Sequence, residues 1–149
     1  MTEKPIQDLY LDEYAHCYGC GKNNPQGMHL KSYQEGEECV CRYTPESCYT
    51  GGVPGFLYGG MIASLIDCHG AGTASLATAD DNGEPVGRFV TASLSVDYHK
   101  PTPMGVELVI RGRAIEIKGR KVTVELQLFA GDVHCATGRV LVIQILAAT

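Results

Sequence analysis

One carboxylate stands alone in a long uncharged stretch of the sequence. From Ser47 to Ala79, Asp67 is the only Asp, Glu, Lys or Arg. A carboxylate is costly to ionise in apolar surroundings unless it accepts hydrogen bonds or reaches water. Such a residue is suited to general base chemistry, with a nearby hydroxyl or imidazole keeping it ionised. The alternative is a carboxylate that points to solvent or to a partner chain.

Glycines precede this carboxylate and suggest a second kind of chemistry. The stretch Gly51–Gly55 and the pair Gly59 and Gly60 lie just before an apolar segment. Glycines that lead into a helix let a ligand approach bare backbone N–H groups at the positive end of the helix dipole. A carbonyl oxygen placed there would have its developing negative charge stabilised, as acyl transfer requires. Close helix packing would also explain these glycines.

Two of the seven cysteines have the spacing of metal ligands. Cys17 and Cys20 would suit zinc if two further ligands approached, and Cys39 and Cys41 are the candidates because they share one face of a predicted strand. Turns around this segment explain its sequence sterically, so we expect packing and no metal. The odd count and the lack of an apolar leader at 1–10 favour the cytoplasm, where thiols stay reduced.

A helix and two groups of strands are predicted to position these residues. Gly59 to about Ala79 is rich in small residues, with apolar residues at steps of three and four, which is typical of a helix buried on all sides. Period-two alternation predicts four long antiparallel strands in Val90–Tyr98, Val106–Arg111, Val122–Leu128 and Val133–Leu146. A shorter hairpin is predicted before the helix, from Met28–Tyr33 and Glu38–Tyr43. One buried helix beside such a sheet predicts an α+β fold.

Size and composition limit the class of protein. The 149 residues suit one domain, 1–149, and 44% hydrophobic with 19% charged residues is typical of a soluble folded protein. The net charge of -5 lacks the basic excess that nucleic acid binding needs. No apolar run is long enough to cross a membrane. The segment Arg88–Lys121 is nevertheless basic, which suits an anionic small molecule.

Three segments together carry a family resemblance. They are HCYGCGKNNPQG at 16–27, GVPGFLYGGMIASLID at 52–67 and TASLSVDYHKPTPMG at 91–105. With these segments, most of the chain resembles the hotdog-fold acyl-CoA thioesterases of the phenylacetate-pathway (PaaI-like) type. The resemblance implies one long central helix wrapped by a curved antiparallel sheet, preceded by a lid-like segment at 1–27.

The resemblance also implies a catalytic site. In the family, a Gly-Gly-(x)6-Asp pattern begins the central helix, so the amide of Gly59 is implied to bind the thioester carbonyl and Asp67 to activate or orient the hydrolytic water. Thr91 is implied to assist the water, in agreement with its place on the polar face of the alternating strand. Tyr58 stands where many members carry histidine, and its hydroxyl can donate beside the thioester.

Further residues are predicted to bind substrate. Gly60 is a second oxyanion donor, and Ser64 and His69 follow it on the helix. His69 shares a face with apolar residues, so a buried core histidine is the alternative there. Arg111 and Arg113 are candidates for the coenzyme A phosphates, as are Lys118, Arg120 and Lys121, although a basic strand turn is often only a solvated edge.

The function predicted from these features is hydrolysis of a small or medium acyl-CoA by Asp-assisted attack of water. The resemblance implies a homodimer or homotetramer, with active sites where the helix of one protomer meets the strands of the other. No cofactor, nucleic acid or membrane is expected. Two alternatives remain, an enoyl-thioester hydratase, whose Asp-x-Asn-Pro-x-His sequence is absent, and a non-catalytic protein that binds acyl ligands.

Overall fold

Six strands and one long helix lie within residues 4–79 and 86–146, the part of the chain that the computed structural model describes. The strands before the helix are β1 (Ser32–Glu35) and β2 (Glu38–Tyr43), and the helix is α1 (Gly59–Thr78). The strands after it are β3 (Phe89–Tyr98), β4 (Leu108–Lys118), β5 (Lys121–Ala130) and β6 (Val133–Gln144). The predicted order of hairpin, helix and four strands is confirmed.

The strands form one antiparallel sheet in the order β1-β2-β4-β5-β6-β3. Tight turns at Gly119 and Gly131, where φ is 62° and 59°, join β4 to β5 and β5 to β6. These left-handed backbone conformations favour glycine at both positions. The two edges of the sheet differ, since β1 has four residues and β3 has ten.

Helix α1 packs across one face of this sheet and contacts all six strands. Leu65 and Ile66 are fully buried against the sheet. Glycine is needed on the opposing strand, because a Cβ at Gly138 would overlap the side chain of Ile66. The close approach of helix and sheet therefore depends on small residues at their contact. This architecture confirms the predicted α+β hotdog fold.

Three details differ from the sequence predictions. Strand β1 begins at Ser32 rather than near Met28, and β4 continues to Lys118 rather than ending near Arg111. Helix α1 is not buried on all sides, because the sheet covers only one of its faces. The opposite face, with Ala63, Ser64 and Asp67, is half exposed.

A bulge in β3 changes which side chains face the helix. Thr91 pairs with Val142 of β6, and the register shifts before Ser93, which leaves Ala92 as the extra residue. An extra residue reverses the alternation of side chains along a strand. Thr91 and Leu94 therefore both face α1, and the predicted place of Thr91 on a polar face opposite Leu94 is wrong.

The segment before β1 lies against the end of the helix. Two 3-10 turns, Ile6–Leu9 and Asp12–Tyr14, begin it. Ile6 and Tyr10 are buried and pack with Leu76 of α1. The lid-like role of segment 1–27 stays a prediction. Within the described ranges, no helix has both the length and the apolar character needed to span a membrane.

Candidate active site

The lone carboxylate of the helix is paired with a hydroxyl of the edge strand. Thr91 Oγ1 donates a hydrogen bond of 2.5 Å to Oδ1 of Asp67, and the side chain of Asp67 is half buried. The bulge in β3 makes this contact, because it turns Thr91 toward α1. A hydroxyl donor stabilises the ionised carboxylate and leaves Oδ2 available to accept a proton from water.

A cavity of about 240 Å³ opens beside this pair. Its polar side chains are Asp67, Thr91, Arg88, Cys17, Cys20 and Cys68. The guanidinium of Arg88 lies 4.6 Å above the ring of Tyr10 and donates to the backbone oxygens of Tyr14 and Phe89. Sequence analysis missed Arg88 as a member of the site. We call this cavity and the Asp67–Thr91 pair the Asp67 site.

The three thiols of the Asp67 site form a cluster. Their sulfurs all lie within 4.8 Å of one another, and Cys17 Sγ is 3.9 Å from Cys68 Sγ. The neighbouring thiols donate to the Cys17 sulfur, which lowers the pKa of the Cys17 thiol, while the same contact helps to raise the pKa of Cys20 to about 11. Cys39 and Cys41, considered above as further zinc ligands, lie outside this cluster.

A second site lies at the start of α1. The N–H groups of Gly59 and Gly60 belong to the first turn, which has no intrahelical acceptors, and no acceptor within the described residues takes either of them. A largely apolar cavity of about 370 Å³ borders Gly59. These N–H groups and the helix dipole would stabilise negative charge on a ligand oxygen there. We call this cavity and the two glycines the Gly59 site.

Two tyrosines lie beside the glycines of the Gly59 site. Tyr58 is 53% exposed, and its ring lies so close over Gly60 that a Cβ at Gly60 would overlap the phenol. Tyr98 donates from its hydroxyl to the backbone oxygen of Gly59 at 2.7 Å, and burial raises the pKa of Tyr98. Tyr98 was not predicted as a site residue, although it lies in the segment that carried the family resemblance.

One buried hydroxyl of the Gly59 site lacks a partner. Thr102 is only 2% exposed and lines the cavity. Within the described residues, its Oγ1 is the one buried side-chain oxygen or nitrogen without a hydrogen-bond partner. Buried polar groups are costly when unpaired, so this hydroxyl favours a cavity that takes up water or a polar group of a ligand.

The two sites are distant from each other within one chain. Gly59 and Asp67 lie eight residues apart on the same helix, which is about 12 Å along its axis. Catalytic groups that act on one carbonyl must lie within about 3 Å of the reacting atoms. One protomer therefore brings Asp67 together with Thr91, and Gly59 together with Tyr58, but not Asp67 with Gly59.

Two helix residues predicted to bind substrate are engaged elsewhere. Ser64 donates to the backbone oxygen of Gly60 at 2.9 Å. His69 is fully buried, with Nδ1 at 2.7 Å from Ser32 Oγ and Nε2 at 2.9 Å from the backbone oxygen of Cys39. Both of its ring nitrogens are bonded within the core. The substrate-binding role predicted for His69 is therefore wrong, because this side chain faces the sheet.

The burial of His69 predicts a pH-dependent stability. Burial lowers its pKa from 6.5 to about 4, so the unfolded chain binds the proton more tightly. The contribution of His69 to the free energy of unfolding is therefore largely present above pH 6.5, and it is lost as the pH falls toward 4. We expect the free energy of unfolding to be about 2 kcal/mol lower at pH 5 than at pH 7.5 from this residue alone.

Urea unfolding at both pH values measures this effect. The matched variant is His69→Gln, which cannot titrate and can still bond Ser32 and the Cys39 carbonyl. Between the two pH values, the free energy of unfolding of this variant should change by about 2 kcal/mol less than that of the parent protein. An equal pH dependence in both proteins would show that another group is responsible.

The predicted phosphate ligands do not lie at either site of this chain. Arg111 and Arg113 are on β4, where Gly112 between them faces Thr73 of the helix. Their side chains therefore point to the opposite face of the sheet. Arg111 lies 3.8 Å from Glu38, in a partly exposed ion pair. A role for these arginines in an assembled protein stays a prediction.

Comparisons with known proteins match the chain to one superfamily. The model of the thioesterase superfamily matches residues 54–137. A solved thioesterase superfamily protein from Shewanella loihica PV-4 is 45% identical, with a TM-score of 0.70, and the match covers 92% of this chain and 100% of that one.

Curated relatives are longer proteins. Acyl-coenzyme A thioesterase THEM4 of Xenopus laevis is 38% identical over 94 residues, which is 62% of this chain and 38% of that protein. The Rattus norvegicus protein of the same name is 30% identical over 67% of this chain and 40% of its own length. The match thus spans about two fifths of these relatives.

Proposed function

Since the chain belongs to the thioesterase superfamily, we propose that it hydrolyses the thioester bond of an acyl-coenzyme A. The observation that carries this proposal is the Asp67 carboxylate, which accepts a 2.5 Å hydrogen bond from Thr91 at the edge of an open cavity. The names of the curated relatives support the substrate class. We further propose that the protein is of the PaaI-like type and that its acyl group is small or medium in size.

The reaction needs a base and an oxyanion site. Asp67 accepts a proton from water as the water oxygen attacks the thioester carbonyl, and Thr91 holds the carboxylate in place. The negative charge that develops on the carbonyl oxygen is stabilised by the N–H groups of Gly59 and Gly60. The C–S bond then breaks, and the leaving thiolate takes the proton from Asp67. The Tyr58 ring forms a wall beside the thioester.

This mechanism requires two protomers, because Asp67 and Gly59 lie too far apart in one. We propose a dimer formed through β3, which is a long edge strand with Val90, Leu94 and Tyr98 at 51%, 39% and 53% exposure. A long, apolar edge strand with unpaired N–H and C=O groups can form hydrogen bonds with a strand of another chain. The half-exposed face of α1 around Asp67 lies on the same side of the sheet as Thr91.

The strand positions support an active site shared between protomers. If two copies of β3 pair antiparallel about a twofold axis at Ser95, the extra residue Ala92 brings Thr91 of one copy opposite Tyr98 of the other. Opposite residues in such a pair are about 5 Å apart. The Asp67 site of each protomer would then meet the Gly59 site of its partner, which gives two complete active sites per dimer.

The cavity at Gly59 suits the acyl group. Its lining is mostly apolar, with Phe56, Leu57 and Ile62 among the contributing residues. The free hydroxyl of Thr102 would bond a polar atom of the acyl group or a water that accompanies it. An aromatic or short aliphatic acid fits this character.

A panel of acyl-coenzyme A substrates tests the proposal. Purified protein is incubated with short, medium and aromatic acyl groups, and the release of free thiol is followed by a thiol reagent. We expect turnover of at least one substrate, with the acid and coenzyme A as products. If every substrate stays intact while binding is seen by calorimetry, the non-catalytic acyl-binding alternative is correct.

The hydratase alternative is not favoured by the site. Hydration of an enoyl thioester needs an acid and a base. In the hydratase alternative named above, an Asp and a His would have these roles. No histidine lines the Asp67 cavity among the described residues, and His69 is bonded within the core. The substrate panel includes an enoyl thioester to measure this directly.

Thr91 is expected to act through Asp67. Removing its hydroxyl with Thr91→Val deletes a hydrogen bond to a charged group, which is typically about 1.5–3 kcal/mol, so kcat should fall roughly 10- to 100-fold. KM should change little, because the hydroxyl contacts the carboxylate rather than the acyl group. Thr91→Ser keeps the donor and should restore most of the rate. Equal rates in both variants would remove Thr91 from the mechanism.

A further inference from the structure

The three-cysteine cluster of the Asp67 site plays no part in the proposed hydrolysis. Cys17 and Cys20 come from the loop before β1, and Cys68 comes from α1, 51 residues further along the chain from Cys17. The three are free thiols. We propose that Cys17, Cys20 and Cys68 bind a thiophilic divalent metal ion of the zinc type.

The distances between the sulfurs support a metal site. A tetrahedral zinc with Zn–S bonds of about 2.3 Å separates its sulfur ligands by about 3.8 Å. The Cys17 and Cys68 sulfurs are 3.9 Å apart, and all three lie within 4.8 Å. A disulfide would require two sulfurs to approach to about 2.05 Å, which is a much larger movement.

The backbone holds the loop in this arrangement. The N–H group of Gly21 donates to the Cys17 oxygen at 2.8 Å, which closes a turn around the Cys-x-x-Cys segment. Gly19 must be glycine for Cys68 to approach, because a Cβ at Gly19 would overlap the Cys68 sulfur. Gly21 has no room for a Cβ either, since it would overlap backbone atoms of Ala15 and Cys17. The glycines thus bring the loop and helix sulfurs together.

One positive charge lies beside the cluster. Arg88 lines the same cavity as the three thiols. Three thiolates and one divalent ion carry a net charge of about -1, which the Arg88 guanidinium offsets. Metal binding would release the remaining thiol protons to solvent.

The fourth coordination position would face the cavity. The cluster supplies three protein ligands, and the cavity that it lines also contains Asp67 and Thr91. A zinc ion with three protein ligands keeps one position for water or another small ligand. Soft thiolate ligands select zinc and its heavier relative cadmium over magnesium or calcium. The ion would also tie the segment before β1 to the central helix.

Cadmium titration of the whole protein tests the site. The protein is reduced with a phosphine, stripped with a chelator and titrated with Cd²⁺ while the ultraviolet thiolate-to-cadmium absorption is followed. We expect saturation at one Cd²⁺ per chain, reversal of the signal by Zn²⁺, and at least a 100-fold loss of affinity in Cys17→Ser and Cys68→Ser. The matched control is Cys48→Ser, which removes an exposed thiol outside the cluster and should bind as the parent does.

A second measurement needs no variant. Zn²⁺ should protect Cys17, Cys20 and Cys68 from alkylation, as read by peptide mass spectrometry, while the exposed Cys48 still reacts. Absence of a saturable signal, equal affinity in the Cys17→Ser, Cys68→Ser and Cys48→Ser variants, or unchanged alkylation would each overturn the proposal. So would formation of a Cys17–Cys20 disulfide in protein that takes up no metal. None of these readouts depends on hydrolytic activity, so failure here leaves the proposed function intact.

Discussion

Replacing Asp67 by asparagine is expected to lower kcat for acyl-coenzyme A hydrolysis by about 10²–10⁴-fold, the usual contribution of a general base. Asparagine has nearly the same shape and keeps an oxygen that accepts the Thr91 hydrogen bond. It cannot take a proton from water at neutral pH. Substrate affinity should therefore change little, and the loss should fall on kcat.

A matched control separates this loss from a general effect of removing a carboxylate. Asp132 lies exposed in the turn between β5 and β6, away from both sites. Asp132→Asn should keep the parental rate. Thermal unfolding of both variants should stay close to that of the parent protein. A fully active Asp67→Asn enzyme would refute the base mechanism.

The second large effect is expected from removing one backbone N–H at the start of α1. Gly59→Pro deletes the proposed oxyanion donor, and we expect kcat to fall by about 10²–10³-fold. Proline is well tolerated at the first helical position, and the extended backbone of Tyr58, with φ at -61° and ψ at 133°, is compatible with a following proline. The helix should therefore still form.

The control for this change adds a side chain but keeps the amide. A Cβ at Gly59 would lie 3.6 Å from the Tyr98 ring, which is an ordinary contact. Gly59→Ala should therefore retain most of the activity. If Gly59→Pro and Gly59→Ala have equal rates, the N–H of Gly59 does not stabilise the transition state.

Mixing the two inactive variants tests whether the active site is shared. In a hybrid dimer of Asp67→Asn and Gly59→Pro chains, one of the two sites contains an intact Asp67 and an intact Gly59 from different chains. Random reassociation after unfolding should restore about one quarter of the parental activity, since half of the dimers are hybrids with one complete site. No recovery is expected if both residues act within one chain. Sedimentation of the mixture verifies that dimers have formed.

Much of the fold could be predicted from local patterns. The period-two segments become β3 to β6, and the uncharged glycine-rich stretch becomes α1, beginning at Gly59. The family resemblance pointed to Asp67 and Thr91, which the structure brings into contact. The 12 Å separation of Gly59 and Asp67 also follows from the rise of about 1.5 Å per helical residue, although the sequence prediction did not use it.

Other features depend on contacts between distant segments. The bulge at Ala92 arises from the pairing of β3 with β6, and it decides that Thr91 faces the helix. Cys68 joins Cys17 and Cys20 because the loop before β1 crosses the helix at this point. No spacing in the sequence shows either contact. Tyr98 and Arg88 were missed for the same reason.

By itself, the sequence determined the order of the helix and strands. It also determined that Asp67 is the only charged residue of the helix and that free N–H groups lie at the start of the helix. These properties follow from local periodicity and composition. Only the tertiary structure decided which hydroxyl meets Asp67, that His69 belongs to the core and that three thiols share one cavity. The physical reason is that strand register and helix packing are set by the whole core, so a one-residue bulge or a missing Cβ changes which side chains meet.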